Sequence, residues 1–252
     1  LSVYLEQREA ETFRRQFDIL ASCDIHSPVI FDVGANIGQS IELYCRSLND
    51  CIFHCFEPNP EAFDQLKLKF EQSPHIKLLN IALINYCGNV NFYATKRSEL
   101  SSLLQPEIWL KELSADDKYV SAELLVPCLT IDQYCEDTQI ERIDILKIDV
   151  QGAEPFVLEG GQRMLREARI AMVYLEIILA ESYIGQATLL ELLQFFENHR
   201  YRLWDLVPFT YTSSGAAWTA NALFVHSDYA KRIEEKSRRS IADEAKLKSI
   251  KS

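Results

Sequence analysis

The feature that most restricts what this chain can fold into is the alternation of short β-branched apolar runs with longer amphipathic segments. Val29 to Val33 is an apolar run of strand length; after a turn with two glycines, Ile37 to Leu48 puts Ile37, Ile41, Tyr44, Cys45 and Leu48 on one helical face. The pattern returns with Cys51 to Phe56, the breaker E-P-N-P, and a helical segment from Glu61 to Phe70. A third apolar run covers Ile76 to Ile84. Further on, Ile143 to Val150 and Ala171 to Ile177 read as strands flanking a helix from Pro155 to Ala168, with proline at its start. A helix from Thr188 to Asn198 and strands at Tyr201 to Leu206 and Ala222 to His226 complete the series. Strands alternating with helices of this length require right-handed crossovers, so the expected fold is α/β and Rossmann-like: a mostly parallel sheet with helices on both faces.

Two regions fall outside the alternation. Residues 1–22 carry Phe13, Phe17 and Leu20 at helical spacing and predict an N-terminal helical extension, which leaves 23–228 as the main domain. Residues 96–126 show no strand periodicity, break at Gln105-Pro106, and read as a lid or substrate loop. From Tyr229 the chain has eight Lys or Arg against four Asp or Glu, so 229–252 reads as a basic C-terminal tail on a chain whose net charge is −11. That overall charge argues against a nucleic-acid partner. No run approaches the roughly 18 apolar residues of a membrane span, and no signal peptide is evident, which predicts a soluble, cytoplasmic protein. The seven cysteines, with no C-x-x-C pair, read as reduced core thiols.

In an open α/β sheet, ligands bind beyond the carboxyl ends of the strands. The turn F-D-V-G-A-N-I-G-Q-S stands at that edge, with Gly34 and Gly38 leaving room for a close approach to backbone. A dinucleotide turn has the spacing G-x-G-x-x-G; here it is G-x-x-x-G, with Ala35 and Asn36 between. S-adenosylmethionine has no pyrophosphate but carries an ammonium, and Asp32 supplies an acid for it. Glu57, at the end of the next strand, is placed to accept ribose hydroxyls from any nucleoside ligand.

The motifs F-D-V-G-A-N-I-G-Q-S and D-I-L-K-I-D-V-Q-G-A-E-P-F-V-L-E-G-G together resemble the FkbM family of class I S-adenosylmethionine-dependent methyltransferases. The segments E-P-N-P, N-I-A-L-I-N-Y-C-G-N-V-N-F-Y and L-T-I-D-Q-Y resemble it in the same order, so the likeness covers Pro28 to His226. It implies a seven-stranded sheet with an antiparallel last strand, and O-methylation of a hydroxyl on a sugar, glycan or natural product. It further implies a cofactor site in which Asp32, Gly34, Ala35, Asn36 and Gly38 surround the methionine end. Glu57 and Pro58 would lie at the ribose, Asn80 and Ala82 would flank the adenine, and Ser102 would close over it. The family's fourth-strand motif usually reads D-V-E-G-x-E, whereas this chain has Gln151 at the middle acid.

Methyl transfer to a hydroxyl needs positioning and a proton acceptor. None of the five histidines falls at the ligand edge, since His26, His75 and His199 precede strands, His226 ends an antiparallel one and His54 lies inside one. Carboxylates do fall there: Asp149 or Glu176 is expected to take the proton, with Glu154 and Gln151 orienting the acceptor. A helix-capping role for Glu154 competes with that reading. Asp149, Glu154 and Glu176 as ligands of a divalent cation form a less favoured alternative, without a dedicated ligand cluster. Asn221, Trp204 with Asp205, Trp109 and Trp218 are candidate acceptor contacts. The competing functions are a nicotinamide-dependent oxidoreductase on a related fold and a non-catalytic S-adenosylmethionine-binding domain.

Overall fold

The computed structural model describes residues 13–48, 50–107, 120–212 and 214–250. Seven strands form one sheet in the order β3-β2-β1-β7-β8-β10-β9: β1 (Val29–Val33), β2 (Ile52–Phe56), β3 (Ile76–Leu79), β7 (Ile143–Ile148), β8 (Ile170–Ile178), β9 (Tyr201–Tyr211) and β10 (Ala217–His226). All neighbours are parallel except β10, which is antiparallel to both β8 and β9. This is the seven-stranded, mostly parallel sheet with an antiparallel last strand expected from the sequence.

Alternation along the buried strands divides the core in two. Phe31, Val33, Leu146 and Ile148 face the cluster covered by α4 (Ile131–Thr138), α5 (Glu154–Glu159), α6 (Gln162–Arg166) and α7 (Leu189–Asn198). Ile30, Phe53, Ile145 and Tyr174 face the cluster covered by α1 (13–22), α2 (Gln39–Cys45), α3 (Pro60–Phe70) and α8 (Ser227–Ile250). Local signals start several of these helices. Asn59 Oδ1 accepts from Glu61 N ahead of Pro60, and Thr188 and Glu191 form a reciprocal capping box.

Several boundaries differ from those expected. The apolar run 76–84 divides into β3 and β4 (Ala82–Leu83), which belong to different sheets. The expected loop 96–126 ends earlier: Val120 begins β6 (Val120–Leu129), which pairs antiparallel with β5 (Gly88–Thr95) and parallel with β4 in a second, three-stranded sheet. The expected helix 155–168 is interrupted at Gly160-Gly161, because the backbone of Gly160 lies against Ile84 and a Cβ there would stand 2.0 Å from its carbonyl oxygen. Strands β9 and β10 are longer than read from sequence and meet at the turn containing Gly215. All seven cysteines are free thiols; Cys51, Cys55, Cys128 and Cys135 are core residues as expected, whereas Cys45 and Cys87 are exposed. No described helix is long and apolar enough to cross a membrane.

The register puts Val33 beside both Phe56 and Ile148. The turns after β1, β2 and β7 are therefore adjacent, at the point where the strand order reverses.

Candidate functional site

These three turns enclose a cavity of about 200 Å³, walled by Gly34, Asn36 and Gln39 on one side, Glu57 and Pro58 on the next, and Lys147, Asp149 and Gln151 on the third. The second sheet adds an apolar wall of Ala82, Leu83 and Phe92, and Ser98, Glu99, Ser101 and Leu103 cover the opening.

The first turn is shaped by a close backbone approach. Gly34 has φ +78, and a Cβ on it would stand 1.9 Å from the Asp149 carbonyl oxygen. Gly38, φ +91, abuts the Phe70 ring at a distance a Cβ would reduce to 2.3 Å. Four N–H groups of this turn are already committed. Gly34 and Ala35 donate to Phe56 O, Gly38 to Ala35 O, and Asn36 to Glu57 Oε2 at 2.7 Å. A pyrophosphate needs such donors free, so the turn is poorly suited to a dinucleotide.

Glu57 is 5% exposed. One carboxylate oxygen accepts from Asn36 N and the other from Asn59 N, at 2.7 and 2.8 Å. Each oxygen retains a lone pair for a further donor, the arrangement two vicinal hydroxyls need. Burial pushes this acid up to about 7, against the pull of the two N–H groups. Asn80 does not line the cavity; its Nδ2 donates to the Glu57 and Pro58 carbonyls at 2.7 and 3.2 Å and braces the turn.

Asp32 requires a correction. It is fully buried and does not line the cavity, because alternation in β1 turns it to the same side as Ile30. Its register partner Lys147 places Nζ 2.9 Å from Asp32 Oδ1, and it is Lys147 that reaches the cavity wall. Burial pulls the Lys147 ammonium down, but Asp32 and Asp149 outweigh that and hold it above its ordinary range, while burial raises Asp32 against the pull of Lys147. Ala35 is likewise packed into the core, and its backbone N–H and carbonyl serve the turn's own hydrogen bonds. Ser102 pins the covering segment: its Oγ donates to Gln151 O at 2.7 Å and accepts from Leu104 N at 2.9 Å. Ser98 Oγ donates to Asn36 Oδ1 at 2.9 Å, which holds the segment to the first turn.

The acids behave differently from one another. Asp149 is the accessible one, with 40% of its side chain exposed. Glu154 is turned inward at the start of α5; its Oε1 accepts from Val150 N and Gly152 N, both at 3.2 Å, and so braces the turn. Burial raises it to about 7. Glu176, on β8, is raised to about 8 by burial and then by the charges of Asp149 and Glu154. Gln151, φ +56, donates from Nε2 to both Asp149 Oδ1 at 3.0 Å and Glu176 Oε2 at 2.7 Å. Among the described residues no group of three or more His, Cys, Asp or Glu is disposed to hold a metal ion.

Asn221 lies opposite Glu176 in the β8–β10 register and shares its face, in mid-strand rather than at the start of β10. Trp204 does not join the site: it packs in the α1 and α8 cluster, beside Arg14, Ile19 and Ile233, and Asp205 pairs with Arg15 at 2.9 Å. The register sets the neighbouring Asp205 level with Tyr174 and Lys147, so Trp204 lies in mid-sheet and is kept from the site by the face it takes. Trp109 lies outside the described residues. Trp218 Nε1 donates to Ser182 Oγ at 3.1 Å, beside Tyr183. None of the five histidines lines the cavity; His54 is a core imidazole whose Nδ1 lies 2.7 Å from Tyr134 Oη, and burial lowers it to about 4.

Two contributors escaped the sequence reading. Lys147 was hidden inside the strand motif, although its period-2 relation to Asp149 marks the shared face. The single Tyr183 hydroxyl proton is shared between Leu100 O at 3.0 Å and Gln151 Oε1 at 3.1 Å, the latter a contact across 32 residues that no local pattern announces.

Known proteins resemble this chain over the same region. It is 31% identical over 182 residues to the 2-O-methyltransferase NoeI of Sinorhizobium fredii, covering 68% of this chain and 72% of that protein. It is 26% identical to the hexuronic acid methyltransferase AglP of Haloferax volcanii, over 58% of this chain and 54% of AglP. It is 29% identical to the methyltransferase sdnD of Sordaria araneosa, over 53% and 60% respectively. The methyltransferase FkbM domain model matches residues 32–203, from the buried acid of β1 through the cavity-lining turns into β9, and the chain belongs to that family.

Proposed function

We propose that this enzyme transfers a methyl group from S-adenosylmethionine to a hydroxyl of a sugar, on a glycan or a glycosylated natural product. The observation that carries the reading is the placement of a half-exposed carboxylate, Asp149, on the wall of a cavity that also holds the buried diol acceptor Glu57. The residues present suit the cofactor: bare backbone at Gly34, two free lone pairs on Glu57, and an apolar wall of Ala82, Leu83 and Phe92 for a base. When bound, S-adenosylmethionine supplies an electrophilic methyl group on a sulfonium.

The chain itself holds the acceptor and disposes of its proton. Asp149 takes that proton as the exposed acid on the cavity wall, whereas Glu154 Oε1 is engaged by two backbone N–H groups and burial raises Glu176. Lys147 Nζ stands 3.7 Å from Asp149 Oδ2, a cation beside that carboxylate. The segment 98–104, pinned by Ser98 and Ser102, keeps water from the reacting centre. The names of NoeI and AglP support a sugar as the acceptor.

The test is incubation with methyl-labelled S-adenosylmethionine and a panel of neutral and acidic oligosaccharides, followed by mass location of the label. Label on a sugar oxygen supports the reading. Binding of S-adenosylhomocysteine with no transfer to any hydroxylated acceptor would favour a non-catalytic cofactor-binding domain instead.

A further inference from the structure

The amide of Gln151 has two N–H donors and one oxygen, and all three are used. Both donors go to carboxylates, Asp149 Oδ1 at 3.0 Å and Glu176 Oε2 at 2.7 Å, and the oxygen accepts from the Tyr183 hydroxyl at 3.1 Å. Its orientation is dictated by charge, since a flipped amide would aim its oxygen at two acids. Gln151 is itself anchored: its carbonyl takes the Ser102 hydroxyl at 2.7 Å. Tyr183 belongs to a segment zipped to the one that covers the cavity, through Glu107 N to Ser182 O at 2.9 Å and Ile184 N to Gln105 O at 2.8 Å. A neutral donor at this position lets two acids share one donor group.

We propose that Gln151 is a positioning residue for Asp149: its amide, oriented by Tyr183, spans Asp149 and Glu176 and aims the Asp149 carboxylate into the cavity. The proposal rests on the reading of Asp149 as the proton acceptor. Gln151 acts through Asp149 and has no need to touch the acceptor, which differs from the substrate-orienting role expected from sequence. The charged groups that act on Asp149 are Lys147 near the end of β7, Glu154 at the start of α5, Glu176 on β8 and Asp32 on β1.

The experiment is a carboxyl-carbon NMR titration of Asp149 in the full chain saturated with S-adenosylhomocysteine, with calorimetry of that ligand alongside. Gln151→Leu removes a donor from the ionised carboxylate, so the Asp149 midpoint should rise by about one pH unit, the effect of one hydrogen bond to a charged group. Tyr183→Phe should move it in the same direction by less. If Gln151→Leu does not fold, the isosteric Gln151→Glu keeps the shape, and its added charge should raise the midpoint by a similar amount. An Asp149 midpoint unmoved in a folded Gln151 variant that binds S-adenosylhomocysteine normally would overturn the proposal. Failure of the underlying reading looks different: Asp149→Asn would retain full methyl transfer while the Gln151 variants still shifted the titration.

Discussion

Asp32 and Lys147 are register partners on adjacent central strands and form a buried ion pair at 2.9 Å. The acid that opens the glycine turn is therefore a structural anchor, and the cation it holds is what reaches the cavity. Removing one partner leaves a buried charge uncompensated. Asp32→Asn or Lys147→Met should each lower the unfolding free energy by about 3–5 kcal/mol in denaturant titrations. The double variant Asp32→Leu with Lys147→Met should recover most of that loss, because paired apolar groups leave no orphaned charge.

Gly34 is required for two independent reasons, its positive φ and the Asp149 carbonyl against it. Gly34→Ala should cost about 3 kcal/mol of stability and abolish measurable S-adenosylhomocysteine binding by calorimetry. Gly185 also has positive φ, +81, but nothing lies within 4 Å of its Cβ position. Gly185→Ala should therefore cost only about 1 kcal/mol and leave binding intact.

The local parts of this site were the legible ones. The turn V-G-A-N-I-G and the carboxylates at the ends of β7 and β8 are contiguous with strong strand patterns, and topology brings their edges together. Asp32 was misassigned although the period-2 pattern contained the answer, since it shares a face with Ile30 rather than with Val33. The second sheet was missed because Leu124-Leu125-Val126-Pro127 obscures the alternation of β6, in which Leu125 is exposed. Pro127 lies near the end of β6 adjoining its short pairing with β4, where a missing N–H is tolerated. Trp204 stands close to the level of the ligand edge but packs on the face covered by α1 and α8, a choice of face that a strand's end position does not reveal. Tyr183 could not be found at all, since its partners Leu100 and Gln151 are distant in sequence.

The buried acids give an unusual dependence of stability on pH. Glu57 and Glu154 are raised from 4.5 to about 7, and Glu176 from 4.5 to about 8. Between those limits the folded chain binds more protons than the unfolded one, so stability falls as pH rises. Unfolding free energy should be lower at about pH 8 than at about pH 5.5, where most proteins show little loss. Glu154→Gln, whose amide oxygen still accepts from Val150 and Gly152, should flatten the profile between these two pH values by an amount on the order of 2 kcal/mol. A wild-type profile that rises over this range would show these acids to be ionised in the folded state.

Glu57 should govern cofactor affinity without affecting the proton step. Glu57→Gln replaces one acceptor oxygen by a donor facing a backbone N–H, so S-adenosylhomocysteine affinity should fall about 100-fold. In the wild type, calorimetry should show affinity rising as pH passes about 7, the point at which burial places Glu57. NAD should bind far more weakly than S-adenosylhomocysteine, because four N–H groups of the turn are committed within the protein.

The most direct measurement is methyl transfer from labelled S-adenosylmethionine to a sugar acceptor by the wild type and by Asp149→Asn, with S-adenosylhomocysteine affinity measured on both. The account predicts label on a sugar oxygen with the wild type, a fall of about 1,000-fold in turnover with Asp149→Asn, and affinity changed by less than about threefold. Full turnover in the variant, or tight cofactor binding with no hydroxyl methylated by the wild type, would contradict it.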